Sequence, residues 1–566
     1  MRPLAAAPGA VFAALTLLPA ATAARGEFYV DAANGTDVPT AGTATTPWQT
    51  LTYALAQITG QDHEIHVAPG LHDAALGEFF PLVMKPRVSI AGAGQGQTVI
   101  QGTGTETLVS FHGTIAGDTS LTDLSLRVAA TGIYNSVDGF DGLTGPTLAR
   151  LEFERCSRGV ALGGSSYGIA APRIEDCLFA KCGVGIRVQS SLASTPLRIE
   201  GCVFHDCGTG FYLDSLHGSN LTLHDCEFTL CGTGAEIGFG YLATGSCKIS
   251  DSHFSDCGQG IAYQGGPGPA AGWSSAFLEL RRCTIRDSSQ FGLRVRPNYS
   301  FGDGLAFLHD TLIADCDRAI LAQGGILERA SVTLARCTVT GNVLGLVGAD
   351  FYRYELENSV VWGNGADVDS ATHGFGTPYT VAWSNVHFTA QPPAGDHFDV
   401  DPLFADPAAD DYHLSPGSPL IDAGDPAFPP GGIDADGDPR RLDGALDGAA
   451  RLDVGYDEFN HVALSSPGAA LLGGSLVLDL AAPAGWAYLQ AFALLPGDTD
   501  YGALGSLLLE PTTLALLAAG TAPGSDAIPL PAGPGLAGLV LYLQSVALDP
   551  ATGLGSLSNR LERVLE

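Results

Sequence analysis

The chain has 566 residues and a net charge of −33, with 60 acidic against 27 basic side chains. That balance repels nucleic acid and anionic membranes, and it repels anionic polysaccharides unless a cation intervenes. The length is too great for one ordinary core, whereas a solenoid has no such ceiling because each repeat contacts only its neighbours.

Met1-Arg2-Pro3, an apolar run through Leu18 and the small residues Ala21 to Ala24 read as a secretory signal peptide over residues 1–24, with cleavage expected after Ala23 or Ala24. No later segment has the length and apolar purity of a membrane span. A secreted or cell-surface monomer without a transmembrane anchor is therefore expected. Residues 25–123 read as a cap and the first coils. Glu27 to Asp31 is a short strand, and Thr46-Pro47 announces a helix, with Thr as N-cap and Pro at the first helical position. Leu51, Ala54, Leu55 and Ile58 then give that helix one apolar face, suited to plugging the open end of a solenoid. Short strands follow at 64–67, 88–90 and 98–100, each bounded by Gly or Pro.

Residues 124–395 repeat. Segments starting at Leu124, Leu151, Cys177, Cys202, Cys226, Ser252, Cys283, Thr311, Cys337 and Ser359 lie 22 to 31 residues apart. Each carries an apolar residue two places on and usually Cys, Ser or Asn five places on. A small residue, often Gly, and then an apolar one usually follow at eight and nine. The first residue and the one two later share parity and face inward; the fifth has the opposite parity, so a bend must lie between them. A period of this length with strand-like spacing marks a β-solenoid, and the Leu-x-x-Leu-x-Leu-x-x-Asn frame of a leucine-rich repeat is absent. Stacked coils about 4.8 Å apart give ten coils a length on the order of 48 Å. The 12 Cys recur in this register, so they read as a buried ladder rather than zinc ligands, with cross-rung disulfides left open.

Phe28-Tyr29-Val30-Asp31, Thr46-Pro47-Trp48-Gln49-Thr50-Leu51, Val67-Ala68-Pro69-Gly70 and Val88-Ser89-Ile90-Ala91-Gly92-Ala93-Gly94 resemble the N-terminal region of bacterial secreted right-handed parallel β-helix proteins with a pectate-lyase-like fold. The repeats are similar to that family's β-helix repeat, and the resemblance spans residues 27–395. It implies a capped β-helix. It does not fix an activity, because the family is largely uncharacterised.

Residues 396–460 change texture to Asp, Pro and Gly and read as a closing region. Residues 461–566 are almost uncharged and alternate strand-like runs with Gly/Pro turns, as in a small β-sandwich. The expected fold is thus all-β: a right-handed parallel β-helix solenoid with an N-terminal helical cap, followed by a small C-terminal β-sandwich.

Two places carry chemistry. The two longest repeats are consecutive and bring Trp273 together with Arg294, Arg296, Tyr299 and Phe301. With Leu293 and Val295 pointing in, Arg294 and Arg296 point out. Aromatic faces beside guanidinium groups suit a sugar chain, and ordinary decorated loops are the alternative. Asp434, Asp436 and Asp438 alternate like part of a calcium loop, although the twelfth position is Ala445 rather than Glu. Structural calcium is the one cofactor this suggests. Columns of Asp at repeat corners (Asp206, Asp256, Asp287, Asp315; Asp176, Asp225, Asp251, Asp310) read as solvated turn residues. The strings Asn-Thr-Asp and Gly-His-Gly of polygalacturonases are absent, and the three lysines offer no lyase base in a groove. No complete catalytic set closes. The leading expectation is a non-catalytic extracellular scaffold or adhesion rod; the alternative is a polysaccharide-binding or polysaccharide-degrading protein of lyase or hydrolase type. Expected partners are polysaccharide or cell-surface components, not nucleic acid.

Overall fold

The computed structural model describes residues 26–565 except 61, 113–114, 116–117, 138–142, 165–168, 191–195, 216–219, 241–244, 267–275, 299–302, 326–327, 370–378, 389–394 and 430. The signal-peptide reading, Trp273, Tyr299 and Phe301 lie outside the described residues. Among those described, no helix is long and apolar enough to cross a membrane.

Each coil has three sides. In the coil around Cys226 they are Asn220–His224, Glu227–Thr229 and Thr233–Phe239. The first two sides of successive coils stack in parallel into a sheet of 26 strands, and the third, longer sides stack into one of 11. Position two of the repeat sets the register. Phe179 pairs with Phe204, Phe204 with Phe228 and Phe228 with Phe254. From Phe153 to Phe254 five rings stack face to face along the axis, with centroids 4.7, 4.8, 4.5 and 4.4 Å apart. The strand spacing of a parallel sheet imposes that distance. The Gly at position eight follows from the same stack. A Cβ on Gly185 would meet the Phe204 ring at 2.7 Å and the Gly210 carbonyl at 2.5 Å.

The bend predicted between positions two and five is a left-handed corner. In all ten repeats the residue four after the start and the residue one before it have φ between 49° and 72°. Asp, Asn and Gly tolerate that conformation better than other residues, which is why the Asp columns exist. Their like charge is relieved where Arg alternates with Asp at one corner: Arg150 bonds Asp123 at 2.6 Å, Arg282 bonds Asp251 at 2.5 Å and Arg336 bonds Asp310 at 2.7 Å. Leu230 occupies a corner with φ 55° and is 53% exposed, so its side chain gains little there. Leu230→Asn is expected to stabilise the coil by up to about 1 kcal/mol, read as a higher denaturation midpoint.

All twelve cysteines are buried and free. Those at position five from Cys156 to Cys257 donate weakly to the carbonyl of the preceding coil: Cys207 Sγ lies 3.4 Å from Phe179 O and Cys231 Sγ 3.5 Å from Phe204 O. Asn342 and Asn364 do the same job in the last coils, to Ile313 O and Val339 O at 3.1 Å each. The ladder is thus a column of buried donors, and that unites Cys with Asn at one position.

The helix spans Leu51–Gln57, and its N-cap is Thr50 rather than Thr46. Two carboxylates fix this start. Asp37 accepts from Gln49 N at 2.8 Å and Thr50 N at 3.1 Å, and Glu78 accepts from Leu51 N and Thr52 N at 2.8 Å each. Acidic groups at the positive end of a helix are favourable. Leu51, Ala54, Leu55 and Ile58 are buried in the solenoid core, as their spacing predicts.

Beyond the coils, Ala463–Ser465, Ser475–Ala481 and Gly524–Pro529 form one antiparallel sheet. Ala487–Ala493, Ala515–Thr521, Val540–Leu548, Gly555–Leu557 and Leu561–Val564 form another. Leu476, Leu478, Trp486, Phe492 and Leu543 belong to a core separate from the solenoid's.

Candidate functional site

The outer face of the 11-stranded sheet gathers residues that the repeat rule does not cover. Arg187 pairs in register with Tyr212, Tyr212 with Glu236, Glu236 with Ala262 and Ala262 with Arg294. Two places further along the strands, Gln189, Asp214, Gly238, Gln264 and Arg296 form a second outward column. Leu293 and Val295 are fully buried while Arg294 and Arg296 are half-buried, so the predicted orientation holds.

The guanidinium groups rest on rings: Arg294 Cζ lies 4.8 Å from the Phe291 centroid and Arg187 Cζ 5.5 Å from that of Tyr212. Among the described residues, the Nε–H groups of Arg187 and Arg294 are buried and find no acceptor. Burial and then the neighbouring Arg296 pull Arg294 below the usual guanidinium value, with Glu236 opposing them. Burial and then Asp214 and Glu236 push the Tyr212 phenol up, with Arg187 opposing. Arg296, Pro297, Asn298, Gln323, Gly324, Gly325 and Glu328 line an open pocket of about 290 Å³ at the edge of this face. Of the five sequence-predicted sugar residues, the described ones are Arg294 and Arg296, and they lie side by side. Arg187, Tyr212 and Glu236 were missed. They fall ten places after Cys177, Cys202 and Cys226, whereas Arg294 falls eleven after Cys283, so the strand register and not a fixed offset puts them in one column.

The closing region folds back along the short sides of the last coils. Tyr412 Oη donates to Asp315 at 2.8 Å, and Asn358 accepts from Asp425 N at 2.7 Å. The buried Arg440 donates to Asp310 at 2.8 Å and to Glu458 at 3.1 Å. Burial opposes the charge on Asp310, but Arg440 and Arg336 outweigh it and hold the carboxyl below its ordinary value. A second cleft, of about 560 Å³, opens between this region and the coils, with Trp362, Phe404, Tyr412, Asp315 and Asp401 in its lining.

The three predicted calcium residues separate in role. Asp434 accepts from the backbone of Asp436 at 3.0 Å, Asp438 at 2.7 Å and Glu458 at 3.0 Å, so it pins the loop. Asp438 accepts from Asn460 at 2.6 Å. Asp436 meets His413, whose Nε2 lies 3.0 Å from Asp436 Oδ2 and 4.0 Å from Asp457 Oδ2. Sequence reading missed His413 and Asp457, since no spacing rule links positions this far apart. Their juxtaposition depends on the closing region folding back.

Residues 33–204 match a family model described as "Protein of unknown function (DUF1565)". Solved structures similar to this chain include the catalytic unit of a GH87 alpha-1,3-glucanase from Streptomyces thermodiastaticus, at 16% identity and TM-score 0.37, over 64% of this chain and 70% of that one. Another is the A-module of the Azotobacter vinelandii mannuronan C-5 epimerase AlgE6, at 16% identity and TM-score 0.33, over 58% of this chain and 91% of that one. No curated protein matches the chain. With its repeats stacked into about ten parallel turns, the chain is a parallel β-helix protein, and the family match lies over its first turns.

Proposed function

We propose that the protein is a secreted, non-catalytic scaffold whose outer sheet face holds a polysaccharide chain. The observation that carries this reading is the outward column that brings the half-buried Arg187 and Arg294 into line with Tyr212 and Glu236 and beside Arg296. Guanidinium groups beside a phenol and a carboxylate offer an oxygen-rich ligand laid along the column charge-assisted hydrogen bonds and a ring face. Four coil spacings separate Arg187 from Arg294, roughly 19 Å, which is room for several sugar rings. Trp273, Tyr299 and Phe301 are proposed from the sequence alone as further sugar contacts, and a calcium ion bridging the acidic surface to an anionic sugar is compatible with this reading. Mixed charge on the face admits neutral and uronate sugars alike.

A glycan array containing both classes tests the reading. Arg294→Ala and Arg296→Ala are each expected to weaken binding of any hit about tenfold, the loss of one charge-assisted hydrogen bond. A parallel assay for unsaturated uronides and new reducing ends separates binding from degradation. Product formation would replace the scaffold with a polysaccharide lyase or hydrolase. Binding that survives both substitutions would remove this face from the account.

A further inference from the structure

We propose that His413, Asp436 and Asp457 form a divalent-cation site, fitted to a borderline first-row ion such as Zn2+ rather than to calcium, on the seam where the closing region lies against the last coils. This inference is independent of the sugar reading. One imidazole nitrogen and two carboxylate oxygens from these residues lie within 4.8 Å of one another. A tetrahedral zinc ion bound at about 2.0–2.2 Å needs only a modest contraction of that triangle, and three protein ligands leave a position for water.

Two further observations point to a cation. Asp457 is 6% exposed, and its Oδ1 is buried with no hydrogen-bond partner. A carboxylate left so is costly unless a positive charge faces it. Arg440 donates to Glu458, Asp310 and the Tyr456 carbonyl and makes no hydrogen bond to Asp457. The second observation is the tether on His413. Its Nδ1 is hydrogen-bonded to Asp411 Oδ1, while Nε2 faces Asp436 and Asp457. A carboxylate behind the ring fixes the tautomer that leaves Nε2 free to ligate, the outer-shell arrangement of metal-binding histidines. The imidazole also decides the class of ion, since calcium takes oxygen ligands and imidazole suits zinc and its neighbours. Asp436 is 53% exposed at its side chain and His413 40%, so the ion has a path in from solvent.

The test is calorimetric titration and thermal melting of the chelator-treated full chain with Zn2+, Ca2+ and Mg2+ in turn. One Zn2+ per chain is expected to bind and to raise the melting of the closing region, with Ca2+ and Mg2+ weaker. His413→Ala and Asp436→Asn should each weaken Zn2+ binding at least about tenfold. Asp457→Asn should do the same if it folds; the exposed Asp436 keeps the test decisive if it does not. His387→Ala, which alters another exposed histidine paired with a carboxylate, should change nothing. The twelve buried thiols are common to all these proteins, so the difference isolates the site. Zn2+ binding unchanged in His413→Ala, no Zn2+ binding at all, or Ca2+ binding tighter than Zn2+ would each overturn the proposal.

Discussion

Phe204→Ala is expected to destabilise the middle of the solenoid by about 3–5 kcal/mol, the range for deleting a large buried aromatic ring. Phe204 is fully buried and is the third of five stacked rings, so its loss leaves a gap bounded by Phe179 at 4.8 Å and Phe228 at 4.5 Å. The strand spacing fixes those neighbours, and they cannot close onto one another without breaking the ladder. Gly185 worsens the outcome, since the ring edge that covers its Cα is removed with the ring. Coupling in a solenoid runs between adjacent repeats, so the effect should be local. Hydrogen exchange should rise in the coils around residues 177–239 and stay low near the helix at Leu51–Gln57. Phe204→Leu keeps most of the volume and should cost under about 1.5 kcal/mol. Uniform loosening of the whole chain would contradict the nearest-neighbour picture.

Arg440→Ala is expected to cost a further 3–5 kcal/mol or so, in a different place. Arg440 is 2% exposed, and its two bonded carboxylates, Asp310 and Glu458, are 2% exposed each. Removing the guanidinium leaves buried charge facing buried charge. Arg336 continues to pair with Asp310 at 2.7 Å, so the coil side of the seam is partly held. Glu458 keeps only the backbone donor of Asp453, at 3.2 and 3.3 Å. The closing region should therefore detach first. Limited proteolysis is expected to cut between residues 396 and 460 in the variant and not in the parent, while the coils before Cys283 keep their protection. Arg440→Met should behave like Arg440→Ala, because volume is not what Arg440 supplies.

How much of this could be read from the sequence depends on how local the cause is. The register of the ten repeats, the inward Phe column and the buried Cys ladder were legible because each follows from parity and a fixed offset. The corners were legible as bends but not as left-handed residues, since Lys181, Arg155 and Leu230 sit there alongside Asp. The helix was legible by its apolar face. Its first residue was not, because Asp37 and Glu78, which hold that end, come from outside the segment. The Arg294 and Arg296 orientation followed from Leu293 and Val295, whereas the column with Arg187, Tyr212 and Glu236 required counting coils across loops of unequal length. The Asp434, Asp436 and Asp438 run was visible as acidic alternation, but the structure gives each residue a different partner. Contacts such as His413 with Asp457, or Arg440 with Asp310, join segments with no shared pattern, and only the folded chain reveals them.

The most direct measurement of the central claim is a crystal structure of the protein with an oligosaccharide taken from the glycan-array hits. The account predicts sugar density along the outer face of the 11-stranded sheet, with ligand oxygens within hydrogen-bond distance of the guanidinium groups of Arg187 and Arg294. Density confined to the cleft beside Trp362 and Asp401, or a ligand that leaves both guanidinium groups without an acceptor, would contradict it.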